Sequence, residues 1–239
     1  MAKHNVWMSV SDLMTGLMVI FLFVAIAYMI QVQKNQSAII EYMETKQKLH
    51  DRLVNEFKGD TAKWKMVVGK DLSMKFKEPD VLFEQGSGDL QPKFREILDD
   101  FIPRYLGILL HDSLRHKIRE IRIEGHTDDL RMVKYGTDPY LSNVLLSQER
   151  AYNVLSYIRN MPSYEKYTPE QRKLLDFWFT ANGLSYGKAL DSNDKYVAIS
   201  NDTIDRARSR RVEFRIITSS DEIIENVVKK NEAMKKYYK

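Results

Sequence analysis

The chain has 239 residues, with 37 Lys and Arg against 33 Asp and Glu, and no cysteine. That length holds one membrane span plus one globular domain of ordinary size. The net charge of +4 is spread with both signs mixed, which gives no support to nucleic-acid binding, and the missing cysteines exclude thiolate nucleophiles, thiolate metal sites and disulfides.

From Leu13 to Ile30 there is no charged residue, and only Thr15, Gly16 and Tyr28 interrupt the aliphatic, Met and Phe content. This is about 18 residues, or about 21 counted from Val10, enough for a helix to cross the bilayer hydrocarbon once. Trp7 and Tyr28 flank the run, where amphipathic rings prefer to lie. Asp12 stands at its entry, about 7 Å deeper than Trp7 at 1.5 Å per residue. Two readings stay open for it. Ser11 and Asp12 are good helix N-caps, whereas an ionisable group at membrane depth marks an ion pathway by default. A cleaved signal peptide, with Ala25-Ile26-Ala27 as the cleavage site, fits less well. The run is long for such a segment, continues past Ala27 and carries an acid at its entry. Lys3 precedes the run while Lys34, Lys46 and Lys48 follow it, so the positive-inside rule does not place the N-terminus inside.

Gln31 to Gly59 is polar, with Ile39, Ile40, Met43, Leu49, Leu53 and Phe57 at helical spacing. This reads as a stalk whose apolar stripe is either a dimer seam or a face packed on the next domain. Leu72, Met74 and Phe76 alternate as in a half-buried strand. Pro92 opens a helix with Phe94, Ile97, Leu98, Phe101 and Ile102 on one face, bent or broken at Pro103. A strand follows over Ile118 to Gly125, then a helix over Asn143 to Ile158. Phe177 to Ala181 reads as a strand ended by Asn182-Gly183. Asp191 to Asp205 is a polar loop, Arg211 to Ile217 the last strand, and Asp221 to Lys239 a charged helix. The expected class is α+β: a transmembrane helix within 1–32, a stalk over 33–62, a two-layer sandwich over 63–219 and a terminal helix over 220–239.

Two stretches, Glu124-Gly-His-Thr-Asp128 and Asn143-x-x-Leu146-Ser147-x-x-Arg150-Ala151, resemble the OmpA-like peptidoglycan-binding family, and Ser209-Arg-Arg-Val-Glu213 resembles its closing motif. The resemblance implies a βαβαββ sandwich. Trp7 followed by Asp12-Leu-Met-Thr15 and Leu17-Met18 is similar to the transmembrane helix of MotB-type stator subunits, which join such a helix to an OmpA-like domain. The short stretch before Asp12 and the compact linker tilt the resemblance toward the ZorB branch, from Zorya anti-phage defence, over flagellar stators.

The resemblance implies roles. Asp12 would carry an ion, with Thr15 one turn on either assisting it or bonding back to its own helix. Two copies of the helix would sit inside a pentamer of a MotA- or ZorA-like multi-span partner. In the second domain, Asp128 would meet the ammonium and Arg150 a carboxylate of diaminopimelate in peptidoglycan, the guanidinium fork suiting a carboxylate. Asn143 and Leu146 share the helix face of Arg150, and Thr127 would present a hydroxyl or an amide. Without the resemblance, Arg150 reads as a surface ion pair and Asp128 as a turn residue. No cofactor is implied.

Asp129 to Ser142 departs from the family pattern. It carries apolar Leu130, Met132 and Val133 beside Arg131 and Lys134, and its only glycine is Gly136. Glu124, His126 and Asp128 alternate onto one strand face, but with no second histidine nearby in sequence, metal or hydrolytic chemistry is not expected and His126 is read as packing. Arg210 and Arg211 are read as structural, with lining of the ligand pocket as the alternative. A passive wall tether with no ion flux is the alternative from a different class.

Overall fold

The computed structural model describes residues 2–77, 79–84, 86–130, 132–219 and 221. It divides into two compact units, one of which is Thr45–Ser219.

Helix α1 is assigned over Ala2–Phe57. Its segment from Ser9 holds the one window, among the described residues, long and apolar enough to cross a membrane. Within that window the large apolar side chains are exposed, Leu13 and Met18 each at 71%. An all-round apolar surface of this kind suits lipid rather than water.

The last turns of α1 belong to the compact unit. Leu49, Leu53 and Phe57 are wholly buried, so here the apolar stripe is packed on the domain. Phe57 meets the Phe101 ring at 5.1 Å between centroids and the Trp64 ring at 6.1 Å. Arg104 fastens the junction from outside: Nε donates to Glu56 Oε1 at 2.7 Å, Nη1 to Asp60 Oδ2 at 3.0 Å and Nη2 to the Glu56 carbonyl at 2.7 Å.

Strands β1 (Met66–Val68) and β2 (Ser73–Phe76) form an antiparallel pair. A four-residue turn of helix, α2 (Pro79–Leu82), precedes α3 (Pro92–Leu109). Then come β3 (Ile118–His126), α4 (Pro139–Arg159), α5 (Pro169–Trp178) and β4 (Phe179–Gly183). A short helix, α6 (Val197–Ser200), lies in the segment expected to be loop, and a second, α7 (Arg206–Ser209), follows it and leads to β5 (Arg211–Thr218). The sheet order is β1-β2-β5-β3-β4, antiparallel except for β3 with β4. From β2 onward this is the βαβαββ order, with α5 added to the second crossover.

Three details differ from the sequence reading. Helix α3 runs unbroken through Pro103. Proline costs the helix the bond to Asp99, but Tyr105, Leu106 and Leu109 beyond it are wholly buried and hold it in line. Helix α4 starts at Pro139, before Asn143, because Asp138 caps it. The fourth strand starts at Phe179 and includes Asn182 and Gly183, since Phe177 and Trp178 close α5. The expected terminal helix lies outside the described residues apart from Asp221.

Candidate functional site

Strand β3 ends at His126 and delivers Thr127 and Asp128 to the sheet rim. Helix α4 is aimed at the same rim by its first turn. The Asp138 carboxylate accepts from the backbone N–H of Tyr140 at 2.8 Å and of Leu141 at 3.0 Å, with Pro139 in the first turn. The helix then lies close on the strand: a Cβ at Gly125 would run into the Ser147 carbonyl. Only glycine permits that approach. As a result Thr127, Asp128, Asn143, Leu146 and Arg150, all named from sequence, line one pocket of about 160 Å³. That is below the roughly 300 Å³ at which pockets for drug-sized ligands begin. It suits the end of one chain.

Arg150 is 5% exposed. Its Nε donates to the Ser87 carbonyl at 3.0 Å, and its guanidinium lies 4.9 Å from the centre of the Phe83 ring. Neither Nη has a hydrogen-bond partner among the described residues. Burial pushes the guanidinium down to about 10, with the nearby Asp128 charge opposing, so Arg150 is a cation at neutral pH with unspent donors. Two more lining residues are unspent. The Thr127 hydroxyl and Asn143 Oδ1 are buried without partners among the described residues. Asn143 Nδ2 donates to the carbonyls of Leu130 at 2.8 Å and Pro139 at 3.0 Å, which fixes Oδ1 as the free acceptor. Buried polar groups are seldom left orphaned, and such cases call for a reason.

Asp128 is held at both oxygens. Oδ1 accepts from Leu130 N at 3.0 Å and Oδ2 from Arg210 Nη1 at 2.8 Å. Arg210 therefore lines the pocket as the partner of Asp128, the alternative to a structural role. Phe83, Gly86 and Met132 also line it and were not singled out as site residues. The aromatic at position 83 beside the 86–88 turn was the available signal. Arg131 lies outside the described residues.

Of the two acidic residues that strand alternation set beside His126, Glu124 is there and Asp128 is not. Asp128 belongs to the pocket, and the third member is Glu213. Glu124 and Glu213 lie directly opposite in the β3–β5 register, a placement that like charges resist. Arginines offset it. Arg211 Nε donates to Glu213 Oε1 at 2.6 Å, while Arg215 reaches Glu213 Oε2 at 2.8 Å, Glu124 Oε1 at 3.2 Å and Asp71 Oδ2 at 2.6 Å. Burial alone would raise the Glu124 carboxyl, but the adjoining His126 and the Arg215 charge hold it at about 2. His126 Nε2 stands 3.6 Å from Glu124 and 3.7 Å from Glu213, and burial pushes its imidazole below the ordinary value. The carboxylates are already matched by guanidinium charge, so a cation here would meet two fixed positive groups.

In α1, the Thr15 hydroxyl donates to the Ser11 carbonyl at 2.8 Å, the local alternative to aiding Asp12. Asp12 itself is exposed.

Residues 82–172 match the OmpA family model. An OmpA-family domain carried behind one long apolar helix is the class that fold and pocket define. The chain is 37% identical over 232 residues to the Zorya protein ZorB of the Crooks strain of Escherichia coli, spanning 93% of this chain and 92% of that one, and it belongs to the ZorB family. A second Zorya protein ZorB, also from Escherichia coli, is 27% identical over 90% of this chain and 81% of its own length. The periplasmic domain of Helicobacter pylori MotB is 22% identical, with a TM-score of 0.40 over 67% of this chain and 85% of that one.

Proposed function

We propose that this chain is the peptidoglycan-anchored, ion-carrying subunit of a proton-driven rotary membrane motor in anti-phage defence. The observation that carries the wall-binding half is the set of unspent groups in one small pocket: the Arg150 Nη donors, Asn143 Oδ1 and the Thr127 hydroxyl, beside Asp128. The side-chain end of diaminopimelate carries an ammonium and a carboxylate on one carbon. Arg150 pairs with the carboxylate, while Asp128 and Asn143 Oδ1 accept from the ammonium. Arg210 holds Asp128 oriented until the ligand arrives.

The ion-carrying half rests on Asp12, the one carboxylate at the entry of the apolar run. Neutralising a carboxylate removes the desolvation cost of moving it through low dielectric. Membrane potential supplies about 2.3 kcal/mol per charge per 100 mV. In this reading the chain is a single-pass inner-membrane protein with its N-terminus in the cytoplasm and the domain in the periplasm. It works as a homodimer within a pentameric multi-span MotA- or ZorA-like partner, and the wall grip keeps it still while the partner turns.

The test is Asp12→Asn in cells, scored for phage resistance and for swimming, with the membrane level of the protein followed by blot. Loss of phage resistance at normal protein level is expected. Loss of swimming instead points to a flagellar stator. Full function in both assays leaves Asp12 as a helix cap and the chain as a passive tether.

A further inference from the structure

The segment between the two halves of the pocket is built unlike a plain turn. Leu130 is 49% exposed although apolar, and it lines the pocket together with Met132. Both ends of the segment are pinned to α4. The Leu130 carbonyl accepts from Asn143 Nδ2 at 2.8 Å, and the Tyr135 hydroxyl donates to the Glu149 carboxylate. Its middle abuts the turn that follows Phe83. A Cβ at Gly86 would lie 2.8 Å from the Met132 methyl, and Gly86 has φ +68°, a left-handed conformation that glycine adopts freely. Leu130 and Met132 thus line the pocket, Leu130 held to α4 through its carbonyl and Met132 set against the Gly86 turn.

The pocket lining therefore offers two kinds of surface: polar groups for a carboxylate and an ammonium, and aliphatic surface from Leu130, Met132 and Leu146. We infer that Leu130 and Met132 pack on the methylene spine of the bound amino acid and so select a long zwitterionic side chain over a short one. This rests on the wall-binding reading above and adds residues to it. A zwitterion without a spine, such as D-alanine, engages only the polar groups. Diaminopimelate engages both, and its spine leaves water as it enters.

The experiment is titration calorimetry on the full chain in detergent micelles, with free meso-diaminopimelate and, in parallel, D-alanine as competitor. Leu130→Ser and Met132→Ser are each expected to weaken diaminopimelate roughly tenfold, the scale of removing the apolar burial that one side chain provides. D-alanine competition should be the same for wild type and variants, because the polar groups are untouched. Met132→Leu should restore binding to within roughly twofold, since it conserves volume and apolarity. Thermal melting of each variant checks that the domain is folded. Serine variants that bind diaminopimelate as wild type does would overturn the assignment. So would equal weakening of D-alanine, which would mean that the polar groups had been disturbed. If the wild-type chain itself binds no diaminopimelate, the wall-binding reading fails and this assignment fails with it.

Discussion

Two clusters of the same residue types sit at neighbouring ends of β3 and β5, and they differ in what is left over. Around Glu213 each carboxylate meets a guanidinium: Arg211 and Arg215 take Glu213, and Arg215 takes Glu124 and Asp71. In the pocket, Arg150 spends only its Nε, while Thr127 and Asn143 keep a free oxygen each. A closed network of this kind stabilises one structure, whereas an open set leaves affinity for something from outside. His126 is the exception in the closed cluster: its Nε2 stays 3.6 Å from Glu124 and 3.7 Å from Glu213, and neither ring nitrogen makes a hydrogen bond to the described residues. It is also the group that burial keeps neutral.

The comparison breaks most visibly if the closed cluster tolerates loss of a partner. Glu213→Ala strands the Arg211 guanidinium, 2% exposed, without its acid. Removing one member of a buried pair costs about 3–5 kcal/mol, so denaturant unfolding should show a loss of that size. Acid should do the same gradually. The Glu124 carboxyl is held at about 2 in the fold against about 4.3 unfolded. Its stabilisation is therefore complete above the unfolded value and lost as pH falls toward 2, on the order of 3 kcal/mol in all. His126 adds to this earlier. Neutral in the fold, it takes a proton more readily once unfolded, so stability begins to fall as pH drops below about 6.5. Melting temperature followed from pH 7 to pH 3 should decline in that order.

Smaller changes sharpen the contrast. Gly125→Ala pushes α4 away from β3. It should cost about 1–3 kcal/mol of stability and lower diaminopimelate affinity as well, because Arg150 and Asp128 are carried on the two displaced elements. Arg104→Ala removes the fastening of α1 to α3 through Glu56 and Asp60. With Arg104 partly exposed, about 1 kcal/mol is expected in thermal unfolding, with sacculus binding unchanged.

The pocket's five sequence-named members were legible because each lies within a short motif whose spacing survives folding. Asn143, Leu146 and Arg150 need only a helix to share a face, and Asp128 needs only the strand to end where it does. Arg210 and Phe83 were only faintly legible as site residues, because their places depend on how β5 and the 83–88 turn close around α4. The alternation that set Asp128 beside His126 stops where β3 stops, and the cross-strand neighbour Glu213 takes that position. Pro103 and the Phe177-Trp178 pair misled for a common reason: local preference is weak beside burial of the residues that follow. Trp178 is 1% exposed at the end of α5, and three consecutive aromatics read as a strand until that helix is seen.

The most direct test of wall gripping is co-sedimentation of the full chain with purified sacculi, wild type against Arg150→Ala. The hydrogen bond that Arg150 makes to the Ser87 carbonyl sets the expected stability loss at only about 1 kcal/mol. A folded variant that stays in the supernatant, with affinity down roughly tenfold or more, is the predicted result. A folded variant that pellets with the sacculi as wild type does would contradict it, and would leave the unspent donors of Arg150 without a ligand.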